Sequence, residues 1–193
     1  MRPESFDADL AGQWSRWVLD HGLPEVPASK LRVGESVPVA YWVGPSTAVV
    51  LHIRRVLDED EESPRTETDI DLFCLVDGSW ETCGGGGGGW PDESPLAVLA
   101  VAPNHVDLGG MNSGVVRDRG CRALWGSVGI EAVMAEVMQA GHVTRRPVEA
   151  PVGAFVVCGE YTEPFTARVW NARGDVLAEV RAPARFDDES LWQ

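Results

Sequence analysis

The chain has 193 residues, of which 44% are hydrophobic and 24% charged, a composition typical of a folded globular protein. Its 30 Asp and Glu residues outnumber its 16 Lys and Arg residues, so the formal net charge is -14. Nucleic-acid binding through a clustered basic face is therefore excluded, and binding to anionic membranes is disfavoured. The length fits a single domain whose core needs neither a metal nor a disulfide.

Residues 1–30 are predicted to form one amphipathic helix, over residues 5–22, and a connector. Five apolar side chains recur at helical spacing and form one stripe: Phe6, Leu10, Trp14, Trp17 and Val18. Gly22 and Pro24 then predict the end of the helix. We expect the stripe to pack on the main body of the protein; the alternative is a helix that docks on a partner.

Residues 31–186 are predicted to form an antiparallel β-sandwich, or a partly open barrel, which makes the fold mainly β. Short apolar or alternating segments recur roughly every 8–15 residues, as in all-β domains. The predicted strands are 37–43, 47–57, 70–76, 79–83, 96–102, 115–117, 121–125, 143–148, 154–158, 165–170 and 176–180. Segment 129–140 fits a helix or a strand, and a turn signal at 139–142 favours the strand. Residues 187–193 form a predicted acidic tail.

An acidic loop is predicted over residues 58–69. It contains Asp58, Asp60 and Glu61, and it could steer a basic partner toward the protein. The spacing differs from that of an EF-hand, because the sixth residue is Ser63 where the calcium loop requires glycine. We therefore expect no metal site there, and no cofactor elsewhere in the chain.

A glycine-rich loop is predicted over residues 84–95. Its six consecutive glycines have the most backbone entropy to lose on ordering, which favours a mobile tether or lid. A phosphate-binding loop is disfavoured, because no lysine follows the glycines. Trp80 and Trp90 bracket the run and could form an aromatic clamp over a ligand.

A second long loop is predicted over residues 103–114, which are rich in turn-forming residues. His105 and Asn112 are candidate binding residues there, because polar side chains on loops often position a substrate. His105 could also act with Ser113 or Cys121 in a hydrolase.

The four cysteines, Cys74, Cys83, Cys121 and Cys158, form no CxxC motif. Cys74 and Cys158 lie in apolar segments and are predicted to be small buried side chains, although a Cys74–Cys83 disulfide is possible. The N-terminus carries three acids in its first nine residues, which is unlike a signal peptide. These features predict a cytoplasmic protein.

Three segments, 125–129, 152–157 and 169–177, resemble the corresponding strands and turns of Ig-like β-sandwich domains from high-GC bacteria. The resemblance spans residues 125–182 and implies a sandwich fold. It implies no activity, because sandwiches carry many unrelated functions.

Three functions are compatible with these patterns. The favoured hypothesis is a non-enzymatic interaction module, an immunity protein, an inhibitor or an assembly subunit, whose acidic surface binds a more basic protein. It could also form a homo-oligomer. The alternatives are a small-ligand-binding domain that uses loops 84–95 and 103–114, and the hydrolase based on His105.

Overall fold

The structure is a computed structural model that describes residues 2–25, 31–58, 62–89 and 101–184. These residues form one short 3-10 turn, Ala8–Leu10, one α-helix and eleven strands. The bounds are α1 Ala11–His21, β1 Ser36–Val43, β2 Thr47–Val56, β3 Arg65–Val76, β4 Ser79–Gly89, β5 Val106–Val116, β6 Arg119–Val128, β7 Ala132–Gln139, β8 His142–Pro147, β9 Ala154–Glu160, β10 Phe165–Asn171 and β11 Val176–Ala182.

The strands form three antiparallel sheets. Sheet A has the order β1-β2-β3-β4, sheet B the order β5-β6-β9, and sheet C the order β11-β10-β7-β8. Sheet A packs face to face on sheet B, with β1 and β2 against β9, β3 against β6, and β4 against β5. One apolar core draws side chains from all three sheets. The fold is therefore mainly β, consistent with the predicted sandwich, and the described strands close no barrel.

Local turn chemistry predicts several connections correctly. Asp77 and Gly78 both have positive φ angles, 50° and 82°, as a two-residue hairpin turn between β3 and β4 requires. Ala140 and Gly141 form the equivalent turn between β7 and β8. The strand predicted within 129–140 is confirmed as β7, because pairing with two neighbouring strands outweighs the helix propensity of its residues.

The predicted N-terminal helix packs on the body of the protein. Val18 of α1 is buried against Val50 and Phe73 on the outer face of sheet A, the face turned away from sheet B. The N-terminal part of the predicted helix is instead extended chain and the 3-10 turn. At 11 residues α1 is short, and no helix in the described part of the chain is long and apolar enough to cross a membrane.

Three predicted loops are wrong or too long. The glycine run 84–89 belongs to β4, most of the predicted loop 103–114 belongs to β5, and the acidic loop ends at residue 64, where β3 begins. Pattern reading missed these strands because glycine and short polar side chains show no apolar alternation. Residues 101 and 102 of the predicted strand 96–102 are not in a strand, and 96–100 lie outside the described residues, as does the predicted acidic tail.

Candidate functional site

The structure separates those predicted binding residues that lie in the described part of the chain. Trp80 packs in the apolar cluster beneath α1, on the outer face of sheet A. Asn112 lies between sheets A and B, where its Oδ1 accepts a hydrogen bond from Trp125 Nε1 at 2.7 Å. Asp58 forms an ion pair with Arg65 at 2.6 Å, close to the start of β3. The remaining predicted residues, Trp90, Asp60 and Glu61, lie outside the described residues, and the Trp80–Trp90 clamp with them.

The predicted hydrolase residues are also apart. His105 Nε2 lies 3.3 Å from Ser127 Oγ, at the beginning of β5. Ser113 lies eight residues further along the chain, within β5, roughly 25 Å away at the usual rise per residue. Cys121 is fully buried, and its thiol donates to the Ala48 carbonyl oxygen at 3.7 Å. No nucleophile therefore lies within reach of His105 in the predicted combination.

A different Ser–His–Asp cluster joins α1 to sheet A. Ser15 Oγ lies 2.6 Å from His52 Nε2 and donates a hydrogen bond of 2.6 Å to Asp71 Oδ2. Because the serine proton goes to Asp71, this network assigns the His52 proton to Nε2. Burial lowers the pKa of His52 to about 4, which keeps the imidazole neutral at ordinary pH.

The order of these groups does not suit a nucleophilic serine. In a catalytic triad the imidazole lies between the hydroxyl and the carboxylate, whereas here the Ser15 hydroxyl lies between His52 and Asp71. Ser15 is also fully buried, so no substrate carbonyl reaches its oxygen. The cluster instead holds α1 on sheet A by polar contacts, beside the apolar contacts of Val18.

The four cysteines lie on β3, β4, β6 and β9, in the core between sheets A and B. All four are free thiols and buried, which confirms the prediction for Cys74 and Cys158. Burial raises the pKa of Cys121, and a hydrogen bond with Cys83 together with burial raises that of Cys74. Among the described residues, no group of three or more His, Cys, Asp or Glu side chains is arranged to hold a metal ion.

We expect the native protein to resist thiol reagents. A disulfide reagent such as dithionitrobenzoate should label fewer than one thiol per chain in native buffer, and all four in denaturant, since only exposed thiolates react. The absorbance of the released thiolate measures both values. Fast labelling of two or more cysteines in the native protein would contradict the buried positions.

The glycines of β4 allow sheets A and B to approach closely. A Cβ atom added at Gly84 would lie 3.0 Å from Gly114 Cα, and one added at Gly86 would lie 2.5 Å from Asn112 Nδ2. A Cβ atom added at Gly85 would lie 2.5 Å from the carbonyl oxygen of Ile70 on the neighbouring strand β3. A side chain at any of these positions would force neighbouring atoms to move, and the run is structural rather than a lid.

Strand β4 is an edge strand, and its residues 84–89 have no side chains. It is hydrogen-bonded to β3 on one side, and within the described residues no backbone group pairs with its other side. Gly85, Gly87 and Gly89 are exposed. Natural edge strands usually carry charged side chains or proline that block further pairing, and the glycine run of β4 has neither.

A row of three carboxylates runs beside this edge. The alternation of β3 places Glu67, Asp69 and Asp71 on the outer face of sheet A. Their cross-strand partners on β4 are the three exposed glycines: Gly89, Gly87 and Gly85, respectively. No side chain on β4 therefore separates the carboxylates from the free edge. We call this surface the acidic edge.

The carboxylates of the acidic edge are held by neighbouring groups but keep free acceptor sites. Arg54 lies 2.7 Å from Glu67 and 3.7 Å from Asp69, and Asp71 accepts from Ser15. Burial works against the charge of Glu67, but hydrogen bonds from Arg65 and Arg54 lower its pKa. Each ionised carboxylate has about four acceptor positions, so further donors can bind.

A cavity of about 410 Å³ lies elsewhere, between the β1–β2 and β7–β8 turns and the end of β9. Trp42, Gln139 and Glu160 contribute to its walls. The cavity includes none of the residues from the predicted ligand-binding loops. The small-ligand hypothesis stays a prediction.

Comparisons with protein-family models, with curated proteins and with solved structures give no match for this chain. The resemblance of residues 125–182 to Ig-like domains stays a prediction.

Proposed function

We propose that this protein is a non-enzymatic interaction module that binds a basic protein at the acidic edge. An extended segment of the partner adds to sheet A as a further strand beside β4. The observation that carries the proposal is the register of Glu67, Asp69 and Asp71 opposite three exposed glycines on an unpaired edge strand.

The backbone of β4 supplies the affinity in this mode. An added strand forms main-chain hydrogen bonds with the free N–H and C=O groups of the edge, as in other cases of strand addition. Because residues 84–89 carry no side chains, nothing on that part of β4 obstructs the approach of a second backbone.

The carboxylates supply the specificity. The added strand lies about two strand spacings, roughly 10 Å, from β3. Lysine or arginine side chains on its outer face extend over the glycines toward Asp69 and its neighbours. There they form charge-assisted hydrogen bonds, which are shorter and stronger than neutral ones. An acidic segment is rejected by the same row of charges.

The charge of the whole chain favours the same kind of partner. A net charge of -14 attracts basic proteins over long range and accelerates their association at low salt. The four free, buried thiols are consistent with a reducing compartment, which supports the proposed cytoplasmic location.

A peptide titration tests the proposal. The probe is a decapeptide of alternating lysine and threonine, and the control peptide has glutamate in place of lysine. We expect the lysine peptide to bind, to slow amide hydrogen exchange in β4, and to lose at least about tenfold in affinity when salt is raised to about 0.5 M. Equal binding of the two peptides, or unchanged exchange in β4 at saturation, would contradict the proposal.

Variants at one position separate edge pairing from general charge attraction. A Cβ atom at Gly89 meets no atom within 4 Å, so substitutions there leave the fold intact. We expect Gly89→Lys to weaken peptide binding at least about tenfold, because lysine repels the peptide and obstructs the edge. Gly89→Ala should bind within about twofold of the unaltered protein. Full binding by Gly89→Lys would exclude the acidic edge as the site.

A further inference from the structure

The outer face of sheet C, turned away from the core, has three rows of side chains across its four strands. The central row alternates in charge, in the order Arg145 on β8, Glu136 on β7, Arg168 on β10 and Glu179 on β11. Arg145 Nε lies 2.5 Å from Glu136 Oε2, Arg168 lies 3.7 Å from Glu136 Oε1, and Arg168 Nε donates to Glu179. We call this row the charge ladder.

The two flanking rows contain most of the apolar side chains of this face. One row is apolar throughout: Pro147, Met134, Trp170 and Val176. The other consists of Val143, Met138, Thr166 and Arg181. Val143 and Val176 are 53% and 46% exposed, which is unusual for valine in a sheet. In the described part of the chain no helix or strand packs on this face, whereas α1 covers the outer face of sheet A.

We infer that a second copy of this chain covers the outer face of sheet C. The twofold axis runs parallel to the strands, between β7 and β10, so that β8 of one copy faces β11 of the other. Arg145 then faces Glu179 of the second copy at both ends of the row, while Glu136, which is only 1% exposed, stays paired with Arg145 and Arg168 of its own chain. An alternating row with an even number of charges is complementary to itself under this rotation. The interface is therefore isologous.

The same rotation also brings the apolar row of one copy onto the apolar row of the other. Met134 faces Trp170 of the second copy, and Pro147 faces Val176, so apolar groups meet apolar groups. Methionine and tryptophan are enriched where interfaces lose their water. A twofold axis perpendicular to the strands would instead place each charge of the ladder over its own copy, arginine on arginine. The charges select the first arrangement.

The charge of this face favours a second copy of the chain, rather than a basic protein, as its partner. The three arginines of the rows outnumber the two glutamates, although the chain as a whole carries a net charge of -14. The surface is therefore one of the places where two such chains can meet without repulsion between acidic groups. The basic partner proposed above gains no electrostatic advantage here.

The size of the face predicts a weak dimer. Four strands of about seven residues span roughly 19 by 23 Å, so the two faces together cover roughly 900 Å², below the usual size of stable specific interfaces and suited to weak association. We expect a dissociation constant on the order of tens of micromolar. Raising salt from about 10 mM to about 150 mM should strengthen the dimer, because repulsion between the net charges is screened over a shorter distance. Binding at the acidic edge has the opposite salt dependence.

Sedimentation equilibrium tests the inference on the full chain. The unaltered protein should show a monomer–dimer equilibrium, and Val176→Glu should shift it at least about tenfold toward monomer, since a charge then faces Pro147. Val176 is exposed, so the variant should fold normally; circular dichroism checks this. A dimer that survives Val176→Glu, or a monomer at several hundred micromolar, would overturn the inference. A dimer lost in Gly89→Lys but kept in Val176→Glu would use β4 instead.

Cross-linking tests the orientation. A variant with Pro147→Cys and Val176→Cys should form covalent dimers with the oxidant diamide, because the rotation brings these positions together. Within one chain they are three strands apart, too far for a disulfide. The control, Val143→Cys with Val176→Cys, should remain uncrosslinked, because Val143 faces Arg181 of the second copy. Equal cross-linking of both variants would exclude the proposed axis.

Discussion

Gly87→Ala is expected to lower the free energy of unfolding by about 3 kcal/mol. The added Cβ atom would overlap the carbonyl oxygen of Thr68 on β3, which is backbone and belongs to the ladder of sheet A. Relief requires that β3 and β4 separate at this point, and this breaks the hydrogen bonds between them. Urea denaturation followed by tryptophan fluorescence measures the change.

Two neighbouring glycines provide graded controls. At Gly89 an added Cβ atom meets nothing within 4 Å, so Gly89→Ala should remain within about 0.5 kcal/mol of the unaltered protein. At Gly86 the Cβ atom would lie 2.5 Å from the Asn112 side chain, which can shift but would strain its hydrogen bond to Trp125. Gly86 also has a φ of 157°, which strains any residue with a side chain, so Gly86→Ala should cost an intermediate amount, about 2 kcal/mol. Equal stability of all three variants would favour the mobile loop that the sequence suggests.

The glycine strand shows where sequence reasoning fails. Strand prediction depends on alternating side chains, and a run of glycines has none. What makes residues 84–89 a strand is the close approach of β5 and the carbonyl oxygens of β3, both supplied by distant segments. By contrast, the turns at Asp77–Gly78 and Ala140–Gly141 depend on local backbone preferences, and the sequence predicts them correctly.

The acidic edge was partly visible in the sequence. Glu67, Asp69 and Asp71 alternate with Thr68 and Ile70, the period of a strand with one polar face. The prediction assigned the first two to an acidic loop instead. The facing glycines could not be predicted, because a bulge at Cys83 shifts the register by one residue. If the pairing of β3 with β4 is counted from the Asp77–Gly78 turn without that bulge, each carboxylate is paired with the glycine one position before its actual partner.

The rows of sheet C depend still more on tertiary pairing. Strands β7 and β8 are neighbours in sequence, and so are β10 and β11. The pairing of β7 with β10 joins the two hairpins, and only this pairing places Arg168 next to Glu136. Nothing in either hairpin specifies the other as its neighbour, so the alternation of charge across four strands appears only in the folded chain.

Acidification is expected to destabilise the protein through His52. Its pKa is lowered by burial to about 4 in the folded state, against 6.5 for an unperturbed histidine. Between these values the unfolded chain binds a proton at His52 that the folded chain does not. Stability is therefore complete above pH 6.5 and falls as the pH drops toward 4, by about 3 kcal/mol in all.

The charges around His52 act against this effect but do not cancel it. Asp69, on the neighbouring strand, raises the pKa, while burial lowers it by more. Asp71 is attached through Ser15, whose hydroxyl accepts from the neutral imidazole and donates to the carboxylate. A second proton would remain at Nδ1, whose hydrogen-bond partner among the described residues is Ser36 Oγ at 3.4 Å. Protonation therefore places a charge beneath α1, where no water reaches it.

Chemical denaturation at a series of pH values isolates the contribution of His52. Carboxylates also titrate toward pH 4, so the informative quantity is the difference between variants. His52→Gln keeps a donor toward Ser15 and cannot titrate; its stability should fall less steeply between pH 6.5 and 4. The control, His142→Gln, changes an exposed histidine and should keep the full pH dependence. If both variants kept the same slope as the unaltered protein, His52 would titrate equally in the folded and unfolded states, and the prediction would be wrong.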